Sequence, residues 1–148
     1  MKNVKYLLLV VGIFFLTGCG GGGNTLTCTQ SSDEAGMKTD MEVSMKFDGD
    51  KVNSLKMVMA FTATDQSIKD GWDSAVGILD STFKTQYEKT GITVDSDNDK
   101  SKAKYTLTIE VDPNKASKED LAEVGFEDFE GSRESVKKAA EESGFTCK

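Results

Sequence analysis

Met37-Lys38-Thr39-Asp40-Met41-Glu42-Val43-Ser44-Met45-Lys46-Phe47 alternates without a break. Met37, Thr39, Met41, Val43, Met45 and Phe47 fall on one face; Lys38, Asp40, Glu42, Ser44 and Lys46 fall on the other. A period of two is the mark of a strand with one buried face. The chain then turns at Asp48-Gly49-Asp50-Lys51, and Leu55, Met57, Met59 and Phe61 supply a second apolar set. Both sets are odd-numbered, so facing residues must sum to an even number. A three-residue Gly49-Asp50-Lys51 loop satisfies this and pairs Met45 with Leu55 and Met41 with Met59. A five-residue loop would also do so, whereas a two-residue loop would turn one apolar face into water.

Upstream, Thr25-Leu26-Thr27-Cys28-Thr29 alternates as a first strand, and Ser31 to Gly36 is a polar turn. Downstream, Ile68, Trp72, Ala75, Val76, Leu79, Phe83 and Tyr87 recur every three or four residues, which predicts one helix over Asp65 to Lys89. Thr64 or Asp65 can cap its start and Gly91 its end; Gly71 and Gly77 each weaken it by about 1 kcal/mol. Ile92 and Val94 begin a short strand, and Tyr105, Leu107, Ile109 and Val111 make another. Ser117 can cap a short helix carrying Leu121 and Val124, with Asp120 at the capping-box position. Ser132 can cap a last helix through Val136, Ala139 and Ala140, stopped by Gly144. Phe145-Thr146-Cys147 is then extended and returns to the sheet. The expected fold is α+β: a mostly antiparallel sheet of about five to six strands packed on one long helix and two short helices.

The start of the chain has a different character. Lys2 and Lys5 precede an apolar run from Tyr6 to Phe15, and Leu16-Thr17-Gly18-Cys19 follows. Basic, apolar and small-residue regions in this order make a signal peptide. The run is too short for a membrane span, which needs about 20 apolar residues. The tetrad ending in Cys19 resembles the lipobox of bacterial lipoproteins. That resemblance implies lipidation of Cys19 Sγ and cleavage after Gly18. Two or more acyl chains anchor a protein stably. Residues 1–18 are then the signal peptide, Cys19 to Gly23 a lipidated glycine tether, and 24–148 a single domain. No Lys-Ser/Thr follows Gly20-Gly21-Gly22-Gly23 and no strand precedes it, so a phosphate loop is not indicated.

Removal of residues 1–18 takes away Lys2 and Lys5 and moves the formal charge from −7 to −9. A chain of that charge is repelled by nucleic acid and by anionic headgroups. With Cys19 claimed by lipid, Cys28 and Cys147 remain, and an even pair in an exported protein reads most simply as a disulfide. There is no Cys-x-x-Cys to suggest a redox role.

Five methionines (Met37, Met41, Met45, Met57, Met59) line the hairpin. They suit a soft copper(I) site, but Leu, Val and Phe interrupt the set and no His joins it, so the reading is a core face of flexible side chains. Asp95-Ser96-Asp97-Asn98-Asp99 opens like a calcium loop. Lys100 and Thr106 replace its turn glycine and its bidentate glutamate, leaving an acidic, solvated hairpin tip. No metal or other cofactor is therefore expected. Without histidine, neither a Ser-His or Cys-His nucleophile nor a His-ligated zinc can be built. A carboxylate pair remains as a glycosidase possibility, but the acids sit on polar faces and turns. Trp72, the sole tryptophan, lies on the apolar stripe as a core residue. Phe126 and Phe129, on the loop from Gly125 to Gly131, either anchor to the core or face a partner.

The order of elements, the lipobox, the Phe47-Asp48-Gly49-Asp50-Lys51-Val52 turn and the closing Gly144-Phe145 resemble the YehR-like family of small bacterial lipoproteins. The resemblance implies an α+β domain with a mixed sheet backed by helices, exported and lipid-anchored, with no assigned catalysis. The expectation is a non-catalytic binding or interaction module at the cell membrane, on its extracytoplasmic side. It would be held there by lipid on Cys19 and meet a protein or small-molecule partner. The alternatives are an accessory subunit of an envelope complex and, behind it, a cell-wall hydrolase.

Overall fold

Alternation becomes sheet over six strands in the computed structural model, which describes residues 24–123 and 131–148. They are β1 (Thr25–Glu34), β2 (Met37–Asp48), β3 (Lys51–Ala63), β4 (Ile92–Asp99), β5 (Lys104–Val111) and β6 (Thr146–Cys147). Among the described residues four α-helices accompany them: α1 (Gln66–Asp70), α2 (Trp72–Tyr87), α3 (Lys118–Glu123) and α4 (Arg133–Glu142). The strand order is β4-β5-β3-β2-β1-β6, and every pairing is antiparallel rather than mixed.

The central register is the expected one, with Met45 opposite Leu55 and Met41 opposite Met59. The loop that sets it is not. Asp48 pairs with Lys51, so the turn is the two-residue Gly49-Asp50, with Gly49 at φ +61°. The parity conflict is resolved by a β-bulge. Lys46 faces Ser54 and Phe47 faces Val52, which leaves Asn53 as the extra residue. The bulge lets even-numbered Val52 be buried beside Phe47.

β1 runs five residues further than its apolar alternation, to a two-residue Ala35-Gly36 turn. Both turn residues have positive φ, +51° and +78°, the geometry of a tight hairpin. Gly36 is also required by space: a Cβ there would stand 2.4 Å from Asp65 Cβ. The pairing of Leu26 with Met45 and Cys28 with Val43 places the even residues of β1 on the core face. From Gln30 on, these are Gln30, Ser32 and Glu34, all exposed. Hence the core face is closed over Leu26, Met45, Phe47 and Leu55 and only half-buried over Met37, Thr39 and Met41.

The single long helix expected over Asp65 to Lys89 is two. Gly71, one of the two glycines in the segment, separates α1 from α2, while Gly77 stays within α2. Asp65 caps α1, its Oδ1 accepting the Ser67 amide at 2.8 Å. Trp72 and Val76 are buried, and Leu79, Phe83 and Tyr87 pack partly buried on the core. Gly91 does not end the helix; α2 stops at Tyr87. Gly91 (φ +78°) sits in the next turn, where a Cβ would come within 2.4 Å of the Ala116 amide nitrogen.

The acidic segment after Val94 is strand, not hairpin tip. β4 continues to Asp99, and the tip is a 3-10 turn, Lys100–Lys102, closed by left-handed Ala103. Ser117 caps α3, accepting the Asp120 amide at 3.0 Å and donating to its carboxylate at 2.6 Å; Val124, expected on this helix, lies outside the described residues. Ser132 caps α4, which ends before Gly144 at φ +90°.

Candidate functional site

Helical spacing puts Trp72, Val76, Asp80 and Lys84, four residues apart, along one side of α2, toward β4. On β4 the inward positions are Ile92, Val94, Ser96 and Asn98, so the buried row turns from apolar to polar halfway along. Tyr105 of β5 stands opposite Asn98. It is 1% exposed, and a buried phenol needs a partner.

Asp80 supplies it. Its Oδ1 accepts from the Tyr105 hydroxyl at 3.2 Å and from Ser96 Oγ in a short hydrogen bond; its Oδ2 accepts from Lys84 Nζ at 3.1 Å. Two turns earlier on α2, the Trp72 indole donates to Asn98 Oδ1 at 3.1 Å. Lys100 pairs with Asp73 at 3.0 Å across the mouth. The Ser96 hydrogen bond, then Lys84, hold the Asp80 carboxyl below its usual range. Burial, reinforced by the Asp80 charge, pushes Tyr105 up to about 12.

These groups line a shallow cleft of about 300 Å³ between Gly77 and Asp80 on the helix and Ser96, Asn98 and Tyr105 on the sheet. A second hollow of about 410 Å³ adjoins it, between Trp72-Asp73 and the Lys100–Ala103 turn. A Cβ on Gly77 would meet nothing within 4 Å. The helix-interior glycine is therefore not required by packing, and its missing side chain leaves the cleft wall open. Ser96 donates to the Asp80 carboxylate, whose lowered pKa makes it a weak base, and the arrangement offers hydrogen-bonding groups that can hold a polar ligand.

The residues singled out from sequence are not gathered here. Cys28 and Cys147 lie opposite each other at the far edge of the sheet, joined by a disulfide. Met45 is buried and Met37, Met57 and Met59 pack partly buried on the core, with Met41 half-buried beside them. Asp95, Asp97 and Asp99 occupy alternate positions of one strand, so they spread along it rather than converge. Asp99 instead caps the turn, its carboxyl lowered to about 2 by Lys102, then by Ser101. Among the described residues no three His, Cys, Asp or Glu side chains group to hold a metal. Cys19, Phe126 and Phe129 lie outside the described residues. Sequence reading missed Asp80, Ser96, Asn98 and Tyr105 as a set. The available signal was the break in apolar alternation after Val94 and an acid one turn beyond Val76 on the apolar stripe.

The chain matches no protein family model and no curated protein. Its fold is similar to an NMR structure of a protein from Streptococcus pneumoniae TIGR4 at 13% sequence identity. The match covers 87% of this chain and 88% of that one, with a TM-score of 0.57. At that identity the likeness concerns architecture alone. Among the described residues no helix is long and apolar enough to cross a membrane.

Proposed function

We propose that the chain is an exported lipoprotein, akin to the YehR-like family, whose domain serves as a non-catalytic binding module at the cell envelope. Cleavage after Gly18 and acylation of Cys19 would hold it to the membrane on its extracytoplasmic side, with Asn24 to Lys148 as the working domain. The lipobox and the basic-apolar start support the address. One observation carries the non-catalytic reading: every described carboxylate with a displaced pKa is displaced downward. Donors do this for Asp65 (Ser67), Asp80 (Ser96), Asp99 (Lys102) and Asp112 (Lys115), and for Asp40 despite partial burial. A glycosidase needs a carboxyl raised toward neutrality to act as acid. The cleft beside Asp80 is the natural place for a polar ligand.

Replacing Cys19 by Ala should move the protein from the washed membrane pellet to the soluble exported fraction; retention in the pellet sinks the lipoprotein reading. For the module, native mass measurement of the gently purified domain should show extra mass that denaturation removes. Turnover of a cell-wall sugar, lost on changing one carboxylate, would overturn the non-catalytic reading.

A further inference from the structure

The structure fixes where the chain enters the fold at Asn24. Asn24, the first described residue, offers its carbonyl to the Phe47 amide at 2.8 Å, beside the Gly49-Asp50 turn. Two other links mark the same end of the sheet: the Gly131 amide donates to the Asp50 carbonyl, and Asn114 Nδ2 donates to Asn53 Oδ1. Trp72 belongs to the opposite end. Its partner Asn98 shares a level with Tyr105, Phe61 and Thr39, and Thr39 is eight residues along β2 from Phe47. At about 3.3 Å per residue that is about 26 Å.

Resting on the lipoprotein reading above, we infer that the domain stands on the bilayer by its β2–β3 turn and directs the Trp72–Asp80 cleft away from the membrane. Cys19 to Gly23 is five residues, a reach of at most about 17 Å. That is shorter than the sheet is tall, so the anchor cannot bring the Trp72 end down without laying the domain on its side. Charge opposes that pose. The sheet face opposite the core carries Asp33, Asp40, Glu42, Asp95, Asp97 and Glu110 against Lys38, Lys46, Lys56 and Lys104 among the described residues, a net acidic face on a strongly acidic mature chain, so laying it on anionic headgroups is opposed. The near end is acidic too, with Asp48 and Asp50. A flexible tether with a reach of up to about 17 Å leaves that end room to stand off by more than the screening length of about 8 Å at physiological salt. The cleft therefore meets solutes or proteins of the exterior, not lipid.

The single tryptophan makes a reporter. Full-length lipoprotein is matured in its host, extracted and reconstituted into mixed phosphatidylcholine and phosphatidylglycerol vesicles carrying dansyl-headgroup lipid. The protein should float with the vesicles. Energy transfer from Trp72 to dansyl should be weak, and Asn53→Trp, at the exposed bulge, should raise transfer several-fold; Lys51→Trp is a second reporter should Asn53→Trp not fold. Flotation with no gain in transfer from either variant overturns the orientation alone. Failure to float overturns the lipoprotein reading and the orientation with it.

Discussion

A helix packs on each outer flank of the sheet, α2 beside β4 and α4 beside β1, and the two are held by different means. On the β4 flank, α2 buries Trp72 and Val76, and the polar groups beneath it close on Asp80. On the β1 flank, α4 has no fully buried residue; only Val136 and Ala140 pack partly against the core. What ties that flank is the Cys28–Cys147 disulfide, with the two-residue β6 pairing Cys28 with Cys147 and Thr29 with Thr146. Apolar area removed from water stabilises a helix on a sheet in proportion to that area. Where the helix offers small residues, a covalent link does what burial cannot.

The largest test removes that link. A Cys28→Ser, Cys147→Ser double variant should lose about 2–5 kcal/mol, since the bridge spans a sequence separation of 119 residues. Local opening should concentrate on one flank. Amide exchange should accelerate throughout α4 and β6 while α2 and β5 keep their order of protection. Uniform acceleration across both flanks would mean that the bridge acts only through the unfolded chain and that the contrast between flanks is empty.

Next comes the hydrogen-bonded flank. Asp80→Ala leaves the buried Tyr105 hydroxyl without its acceptor and should cost about 1–3 kcal/mol. Adding Tyr105→Phe should recover part of that loss, because the orphaned hydroxyl goes with it. A double variant that is simply the sum of its singles would show that the cluster is not one unit. The same bond has a pH signature. Tyr105 has a folded pKa raised from 10.0 to about 12, so its contribution to stability is complete below pH 10 and is lost as pH rises from there toward 12. Phenolate absorbance of the domain from Asn24, whose tyrosines are Tyr87 and Tyr105, should show Tyr105 titrating late, and Asp80→Asn, which removes the neighbouring charge, should bring it down. Asp80 works in the opposite direction. Its folded pKa is depressed, so its stabilisation is present above the ordinary carboxylate pKa and fades as pH falls through its lowered value.

The flanks also differed in how far they could be read from sequence. Two cysteines left over in a chain read as exported point to each other whatever the fold, so the β1 flank was legible by counting. Period-two alternation gave β2, β3 and β5, and period 3.6 gave the stripe of α2. Asp80, Ser96 and Tyr105 stand 16 and 25 residues from one another in the bonds they form, and nothing local marks them as a set. The turn of β2 into β3 departs from the expected three- or five-residue loop for a related reason: parity rules out a two-residue turn only if the strands pair without a bulge, and nothing local marks Asn53 as the extra residue. The break at Gly71 was hidden because the apolar stripe runs through Ile68 and Trp72 on either side of it.

The smallest effect sharpens the contrast from within α2. Gly77 is interior to the helix, has ordinary negative φ and would give a Cβ nothing to meet within 4 Å. Packing alone therefore predicts that Gly77→Ala stabilises the fold by about 0.5–1 kcal/mol, mostly by restricting the unfolded chain. The new methyl group would nonetheless stand at the wall of the Asp80 cleft. If the cleft takes a ligand, the variant should melt higher than the parent but retain less of the co-purifying mass. A stabilised variant that keeps that mass unchanged would place the ligand elsewhere, and one that is destabilised would show that α2 needs its glycine for bending rather than for access.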